Sequence, residues 1–194
     1  MDHKFFSKAY VNEYGKGLRN DEDINLGLEI LSFGISRGNR ILHVGACDTG
    51  LNLIDEMHNL DLETFYLGID VKDQIQELQE EYKDIPTYAF KQKSIQDFID
   101  DEMSQPHTAN VFDYTLLTGV FNKPIYAEQH YLFISTIIDR CIKFSDKVIF
   151  TLDESSFGNF SYSVLYVINN IISAYNSVTI KKLKKNNYIF CITH

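Results

Sequence analysis

The sequence predicts an α/β fold. It is a seven-stranded, mostly parallel sheet with helices on both faces and an antiparallel hairpin at the C-terminal edge. Three observations carry this. Strand-like and helix-like patterns alternate along most of the chain, the mark of parallel strands joined by crossover helices. The strand candidates are short apolar runs, as expected where both faces of a sheet are covered. The last two, 177–183 and 188–193, are separated only by a polar turn containing Asn186-Asn187. That connection is too short for a crossover, so the two strands pair antiparallel. With 194 residues, 44% hydrophobic and 23% charged, the chain reads as one domain over 1–194, with a helical lead-in over 1–38 and a core over 39–194.

Taken in order, residues 1–20 are polar and aromatic, with Gly15 and Gly17, and form an irregular or helical lead-in. Asn20 or Asp21 caps a helix whose apolar stripe holds Ile24, Leu28, Ile30 and Leu31, and Gly38-Asn39 ends it. Residues 40–44, Arg-Ile-Leu-His-Val, make the first strand and run into Gly45. A helix covers 51–57, with Leu51, Ile54 and Met57 at helical spacing. The second strand, 64–69, ends at Asp70. A polar helix over 73–82 turns Ile75 and Leu78 inward and is broken by Pro86. The third strand is 87–90, followed by a short acidic helix over 95–103. The fourth strand, 112–117, runs into Thr118-Gly119. A long helix over 126–143 presents Tyr131, Ile134, Ile138 and Cys141 to the core. The fifth strand is 147–152, and a last helix covers 161–174. No internal repeat or interdomain linker interrupts the pattern.

Composition narrows the function classes. No apolar run approaches the length of about 18 residues that spans a bilayer, and the first six residues lack the features of a signal peptide. The expected compartment is the cytoplasm. Cys47, Cys141 and Cys191 form no CxxC pair, and the six histidines show no ligand spacing, so no metal is expected. The formal net charge of −9 argues against a grip on a phosphate backbone. A small molecule or a protein is the expected partner, and the oligomeric state is not readable. The one basic run, 181–185, reads as a solvated hairpin tip. Richness in Asn, Ile and Lys, with three prolines, points to an AT-rich coding genome such as that of a low-GC bacterium or a phage.

Three segments carry candidate chemistry. The first is 41–51, Ile-Leu-His-Val-Gly-Ala-Cys-Asp-Thr-Gly-Leu. A glycine after the first strand lets the backbone turn sharply and lets a ligand approach without meeting a Cβ, while the next helix points its N–H groups there. The second is Asp70, at the end of the next strand and about 20 residues beyond the loop, where a carboxylate accepts hydrogen bonds from ribose hydroxyls. The third is 112–122, ending in Thr118, Gly119, Phe121 and Asn122, at the point where open α/β sheets bind ligands. Gly119 permits close approach, Phe121 walls a pocket or fills the core, and Asn122 offers a donor and an acceptor.

These segments resemble class I S-adenosylmethionine-dependent methyltransferases, whose core is Rossmann-like, over essentially the whole chain. The Gly-Val-Phe-Asn ending of the fourth-strand motif resembles a small, poorly characterised subgroup. The resemblance implies S-adenosylmethionine as cofactor. Gly45, Ala46, Cys47 and Gly50 would cradle its methionine part, and Asp70 would hold the ribose with Val71 beside the adenine. Ser94 and Ile95 would contact the adenine, Thr118 and Gly119 would lie near the sulfonium, and Phe121 and Asn122 on the acceptor side. The chain departs from the family pattern at His43, usually acidic, and at Cys47 and Thr49, usually glycines.

Methyl transfer rests chiefly on proximity and alignment, with a base needed only when the acceptor must lose a proton. His130, Asp153 and Glu154 are the base candidates by position. A solvated helix residue and a helix cap are the alternatives. No Pro-Cys nucleophile and no Asn/Asp-Pro-Pro-Tyr motif occurs, which argues against DNA-base methylation. Two other readings remain: a non-catalytic interaction or structural protein, viral among the options, on a degenerate methyltransferase fold, and a different nucleotide-binding Rossmann enzyme. The aromatic segment 157–166 would cover a pocket or a partner.

Overall fold

The chain is described here from a computed structural model, over residues 26–102, 111–121, 127–153, 164–183 and 187–193. The short apolar runs become β1 (Arg40–Val44), β2 (Phe65–Asp70), β3 (Tyr88–Gln92), β4 (Phe112–Leu117) and β5 (Ser145–Asp153). The hairpin strands are β6 (Val178–Lys182) and β7 (Asn187–Thr193). The helices are α1 (Leu26–Leu31), α2 (Ala46–Asn59), α3 (Ile75–Glu81), α4 (Ile95–Glu102), α5 (Ala127–Cys141) and α6 (Val164–Ala174).

All seven strands form one sheet in the order β3-β2-β1-β4-β5-β7-β6. Pairing is parallel from β3 through β5. It is antiparallel where β7 inserts between β5 and β6. The expected fold is therefore present. The chain leaves β1 outward through β2 and β3, then returns to β4 on β1's other side. That reversal makes the C-terminal ends of β1 and β4 the switch point of the sheet, the place where open α/β sheets form their ligand crevice.

Side chains alternate between two separate cores. Leu42, Val44, Ile69, Leu117, Val148, Phe150 and Phe190 pack against Phe98 of α4, Ile134 and Ile138 of α5, and Ile171 of α6. Ile41, Tyr66, Phe90, Tyr114, Leu116 and Ile149 pack against Ile30 and Leu31 of α1, Ile54 and Met57 of α2, and Ile75 and Leu78 of α3. Ile134, Ile138 and Cys141 are fully buried, as expected, whereas Tyr131 is half-buried.

Helix boundaries differ from the sequence reading by one or two residues in several places and by more in two. The first helix ends at Leu31, not at Gly38, because Gly34 takes a left-handed φ of 99° and closes a turn on Leu31 O. Leu28 faces solvent, 44% exposed, and Gly27 takes the inward place. The Gly27 N–H donates to Asn52 Oδ1 at 3.0 Å, an approach so close that a Cβ there would sit 2.8 Å from the same oxygen. The caps Asn20 and Asp21, and Ile24, lie outside the described residues. The second helix, expected from 51, starts at Ala46, directly after Gly45.

The basic run is also not wholly solvated. Lys181 Nζ lies 2.5 Å from Glu29 Oε2 and 2.9 Å from Ser32 Oγ, which ties β6 to α1. Among the described residues no helix is long and apolar enough to cross a membrane.

Candidate functional site

The ends of β1, β2 and β4 are drawn together by their own backbone. Gly45 N–H donates to Ile69 O at 3.0 Å, and Thr118 N–H donates to Val44 O at 3.2 Å. Gly45 has a left-handed φ of 82°, and a Cβ built on it would lie 2.2 Å from Thr118 O. Only glycine fits both the dihedral and the gap. Gly119 is also left-handed, at φ 71°, and its N–H donates to Thr151 Oγ1 of β5 at 3.0 Å. Four strands thus meet in one network at the switch point.

Asp70 sits at the end of β2 and is 6% exposed. Its Oδ2 accepts the Cys47 N–H at 3.0 Å and its Oδ1 accepts the Lys72 N–H at 3.1 Å. Cys47 is the second residue of α2, so this carboxylate, from a different strand, caps the helix N-terminus and complements its dipole. A carboxylate has about four acceptor positions, so two such bonds leave capacity for a ligand's hydroxyls. Behind Asp70, Gln92 Nε2 donates to Val71 O at 3.3 Å and to Asp73 Oδ1 at 2.5 Å. Gln76 Nε2 donates to Gln92 Oε1 at 3.0 Å, and the set holds the turn after β2 in place.

His43 lies beneath the crevice and is fully buried. Its Nδ1 is 2.6 Å from Tyr66 Oη, and its Nε2 is 2.6 Å from Thr118 Oγ1. Burial lowers its pKa to about 3, so the ring is neutral and carries one donor and one acceptor nitrogen. Each hydroxyl serves either role, so both tautomers complete the chain of bonds. Burial also pushes the Tyr66 hydroxyl well up, and it stays protonated. His43 is therefore a satisfied core histidine that ties β1, β2 and the end of β4 together.

The other predicted positions divide. Ser94 Oγ accepts the Asp97 N–H at 3.1 Å and donates to Asp97 Oδ2 at 2.7 Å, so the hydroxyl caps the start of α4. Ile95 is 6% exposed and belongs to the core. Ala46 is fully buried, which leaves its backbone as the part a ligand can use. Phe121 is fully buried, edge-to-face against Phe133 and Phe150. It fills the core rather than lining an acceptor pocket. Asp153 is half-buried at the end of β5. Asn122, Glu154 and the side chains of Gly50's turn and of His130 lie outside the described residues. Among the described residues no group of His, Cys, Asp and Glu could hold a metal ion.

A feature that no single motif revealed is a polar row across one face of the sheet. Asp70, His43, Thr118, Thr151 and Asp153 share the face covered by α1–α3, each at the C-terminal end of its strand. The signal was present as period-two alternation: Leu116 and Thr118, or Ile149 and Thr151, occupy one face. It becomes visible only once register is known.

No family model and no curated protein matches the chain. Solved structures do. A SAM-dependent methyltransferase from Aquifex aeolicus superposes with a TM-score of 0.57 at 12% identity, covering 99% of this chain and 98% of that one. M. capricolum TrmK, in complex with the natural cofactor product S-adenosylhomocysteine, gives 0.56 at 11%, covering 88% and 68%. A chain of the Pnkp1/Rnl/Hen1 RNA repair complex gives 0.56 at 15%, covering 100% of this chain and 49% of that one, so this chain spans about half its length. At such identities the likeness is one of fold, a fold shared with these solved structures, SAM-dependent methyltransferases among them.

Proposed function

We propose that the protein is an S-adenosylmethionine-dependent methyltransferase acting on a small molecule or a protein. The observation that carries this reading is the junction of β1, β2 and β4, where Gly45 leaves no room for a side chain and Asp70 offers a nearly buried carboxylate. A carboxylate with spare acceptor positions suits a pair of ribose hydroxyls. In this reading the backbone of Gly45, Ala46, Cys47 and Gly50 cradles the methionine part, and Val71, Ser94 and Ile95 flank the adenine. Thr118 and Gly119 lie near the sulfonium, and Asn122 on the acceptor side. The bound cofactor supplies an electrophilic methyl group. The chain's own residues orient the two reactants and exclude water. Asp153, at the end of β5, is the described carboxylate placed to take a proton from an acceptor that must lose one, with Glu154 and His130 as the alternatives by position.

A second reading, a non-catalytic interaction protein on the same fold, has its own support. Both Asp70 oxygens already hold backbone N–H groups, and α2 begins directly after Gly45 with no extended loop. A different nucleotide-binding enzyme fits less well. A pyrophosphate at the start of α2 would meet the Asp70 carboxylate at the amide it needs.

The discriminating experiment incubates the purified chain with S-adenosylmethionine labelled on its methyl group and with fractions of a cell extract. Label transferred to a small-molecule or protein fraction supports the enzyme, and Asp70→Ala should reduce it at subsaturating cofactor. Cofactor binding with no transfer to any fraction would favour the second reading.

A further inference from the structure

We propose that Thr151 is a positioning residue: its hydroxyl holds the Thr118–Gly119 turn in the orientation that the cofactor needs, before any cofactor arrives. This rests on the reading above, which places Thr118 and Gly119 beside the sulfonium. Thr151 touches no part of the cofactor and acts through Gly119.

The paired register of β4 and β5 ends at Leu117 and Phe150. Just beyond it the chain leaves β4 through Gly119, at a left-handed φ of 71°. The Gly119 N–H turns toward β5 and donates to Thr151 Oγ1 at 3.0 Å. The other side of the same turn is held from β1. Thr118 N–H donates to Val44 O, and Thr118 Oγ1 lies 2.6 Å from His43 Nε2. Thr118 O rests in the space that a Cβ on Gly45 would occupy. Thr151 is thus the point at which β5 fixes a turn that β1 fixes from the opposite side.

The residue type fits that role. Thr151 is buried in an apolar stretch with Val148, Ile149, Phe150 and Leu152. Burying a hydroxyl costs free energy unless it is hydrogen-bonded, and valine would match its shape and its strand preference. What threonine adds here is an acceptor. Without it, the amide of a residue that is loose by nature would lose its partner. A turn that samples several orientations lowers ligand affinity by the fraction of time it spends in the competent one. The same two strands contain a bond of the same kind with no turn to hold. Thr115 Oγ1 lies 2.6 Å from the Oγ of Ser145, which opens β5 at the far end, and both side chains are buried.

The test compares the wild-type full chain with Thr151→Val, Thr151→Ser and Thr115→Val. Binding is read by calorimetric titration with S-adenosylhomocysteine. Hydrogen exchange of the Gly119 amide is read in 15N–1H spectra without ligand. Thr151→Val should weaken binding about tenfold and speed the Gly119 exchange by a similar factor. Thr151→Ser keeps the acceptor and should restore both. Thr115→Val should lower the melting temperature about as much as Thr151→Val does, yet bind as the wild-type chain does. A purely structural role for Thr151 would not separate the two. Unchanged affinity in Thr151→Val, or an equal loss in Thr115→Val, would overturn the proposal. The wild-type chain alone gives a reading that no folding defect can blur: its Gly119 amide should already be protected without ligand. Protection that appears only with S-adenosylhomocysteine would overturn the proposal too. Failure of the wild-type chain to bind sinks the methyltransferase reading and this proposal with it, whereas binding that is indifferent to Thr151 sinks this proposal alone.

Discussion

The two faces of the sheet are built from the same strands and end differently. On the face covered by α4, α5 and α6, apolar side chains run to the strand ends: Val44, Ile69, Leu117 and Leu152, sealed by Phe121. On the face covered by α1, α2 and α3, the interior is equally apolar, with Ile41, Leu116 and Ile149. At its C-terminal level, however, it turns polar at His43, Asp70, Thr118 and Thr151, all buried. Each polar residue is the chain neighbour of an apolar one on the other face. The contrast separates two jobs. One face supplies hydrophobic stability, and the other gives up some of it to hold polar groups at the crevice, each satisfied by a named partner.

The contrast can be broken from either side. The largest expected effect is at the hinge between the faces. Gly45→Ala must accommodate a left-handed φ and a Cβ 2.2 Å from Thr118 O. It should cost about 4–5 kcal/mol, in the exceptional range for one substitution, measured by urea unfolding. A loss under about 1 kcal/mol would mean that the strand ends part easily. Next, Phe121→Ala should cost about 3–4 kcal/mol by opening a cavity on the apolar face, while any ligand affinity of the folded protein stays unchanged. An equal loss of binding would put Phe121 back at the site.

On the polar face the test is pH. His43 titrates near 3 when folded, against 6.5 for an ordinary histidine. Between these values the unfolded chain binds a proton that the folded chain does not. Stability therefore rises with pH across this window and is lost as pH falls below 6.5, by about 1.4 kcal/mol per unit. His43→Gln removes this contribution, so the difference in unfolding free energy between the two proteins should shrink steadily as pH is lowered from 7 to 4. A difference independent of pH would mean that the ring is charged or solvated in the native state. The smallest effect is at the surface. Lys181→Ala breaks a half-exposed pair with Glu29 and should cost under about 1 kcal/mol. A larger loss would make the α1–β6 tie a structural element in its own right.

What sequence pattern made legible follows from what is local. β1 and β4 were readable to the residue, because each is a short apolar run closed by a glycine one or two positions on. The hairpin followed from a turn too short to cross over. The start of α2 was not legible, because apolar periodicity begins at Leu51 while the helix is launched at Ala46 by Gly45 and capped by Asp70 from another strand. The role of His43 depends on Tyr66 and Thr118, 23 and 75 residues away, and no local pattern encodes that. Phe121 was readable either as core or as pocket wall, and burial alone separates the two. The place of Asp70 at a strand end is local and legible, but its engagement with the Cys47 and Lys72 amides depends on how α2 and the turn after β2 come together.

That engagement sets the most direct test of a cofactor crevice at Gly45, Asp70 and Gly119. Calorimetric titration of the full chain with S-adenosylhomocysteine, alongside Asp70→Ala, reads it in one experiment. Saturable binding by the wild-type chain, weakened about tenfold or more in the folded variant by the loss of hydrogen bonds to a charged acceptor, is the predicted result. No heat of binding at millimolar ligand, or equal affinity in the two proteins, would contradict it and leave Asp70 as the cap of α2 and nothing more.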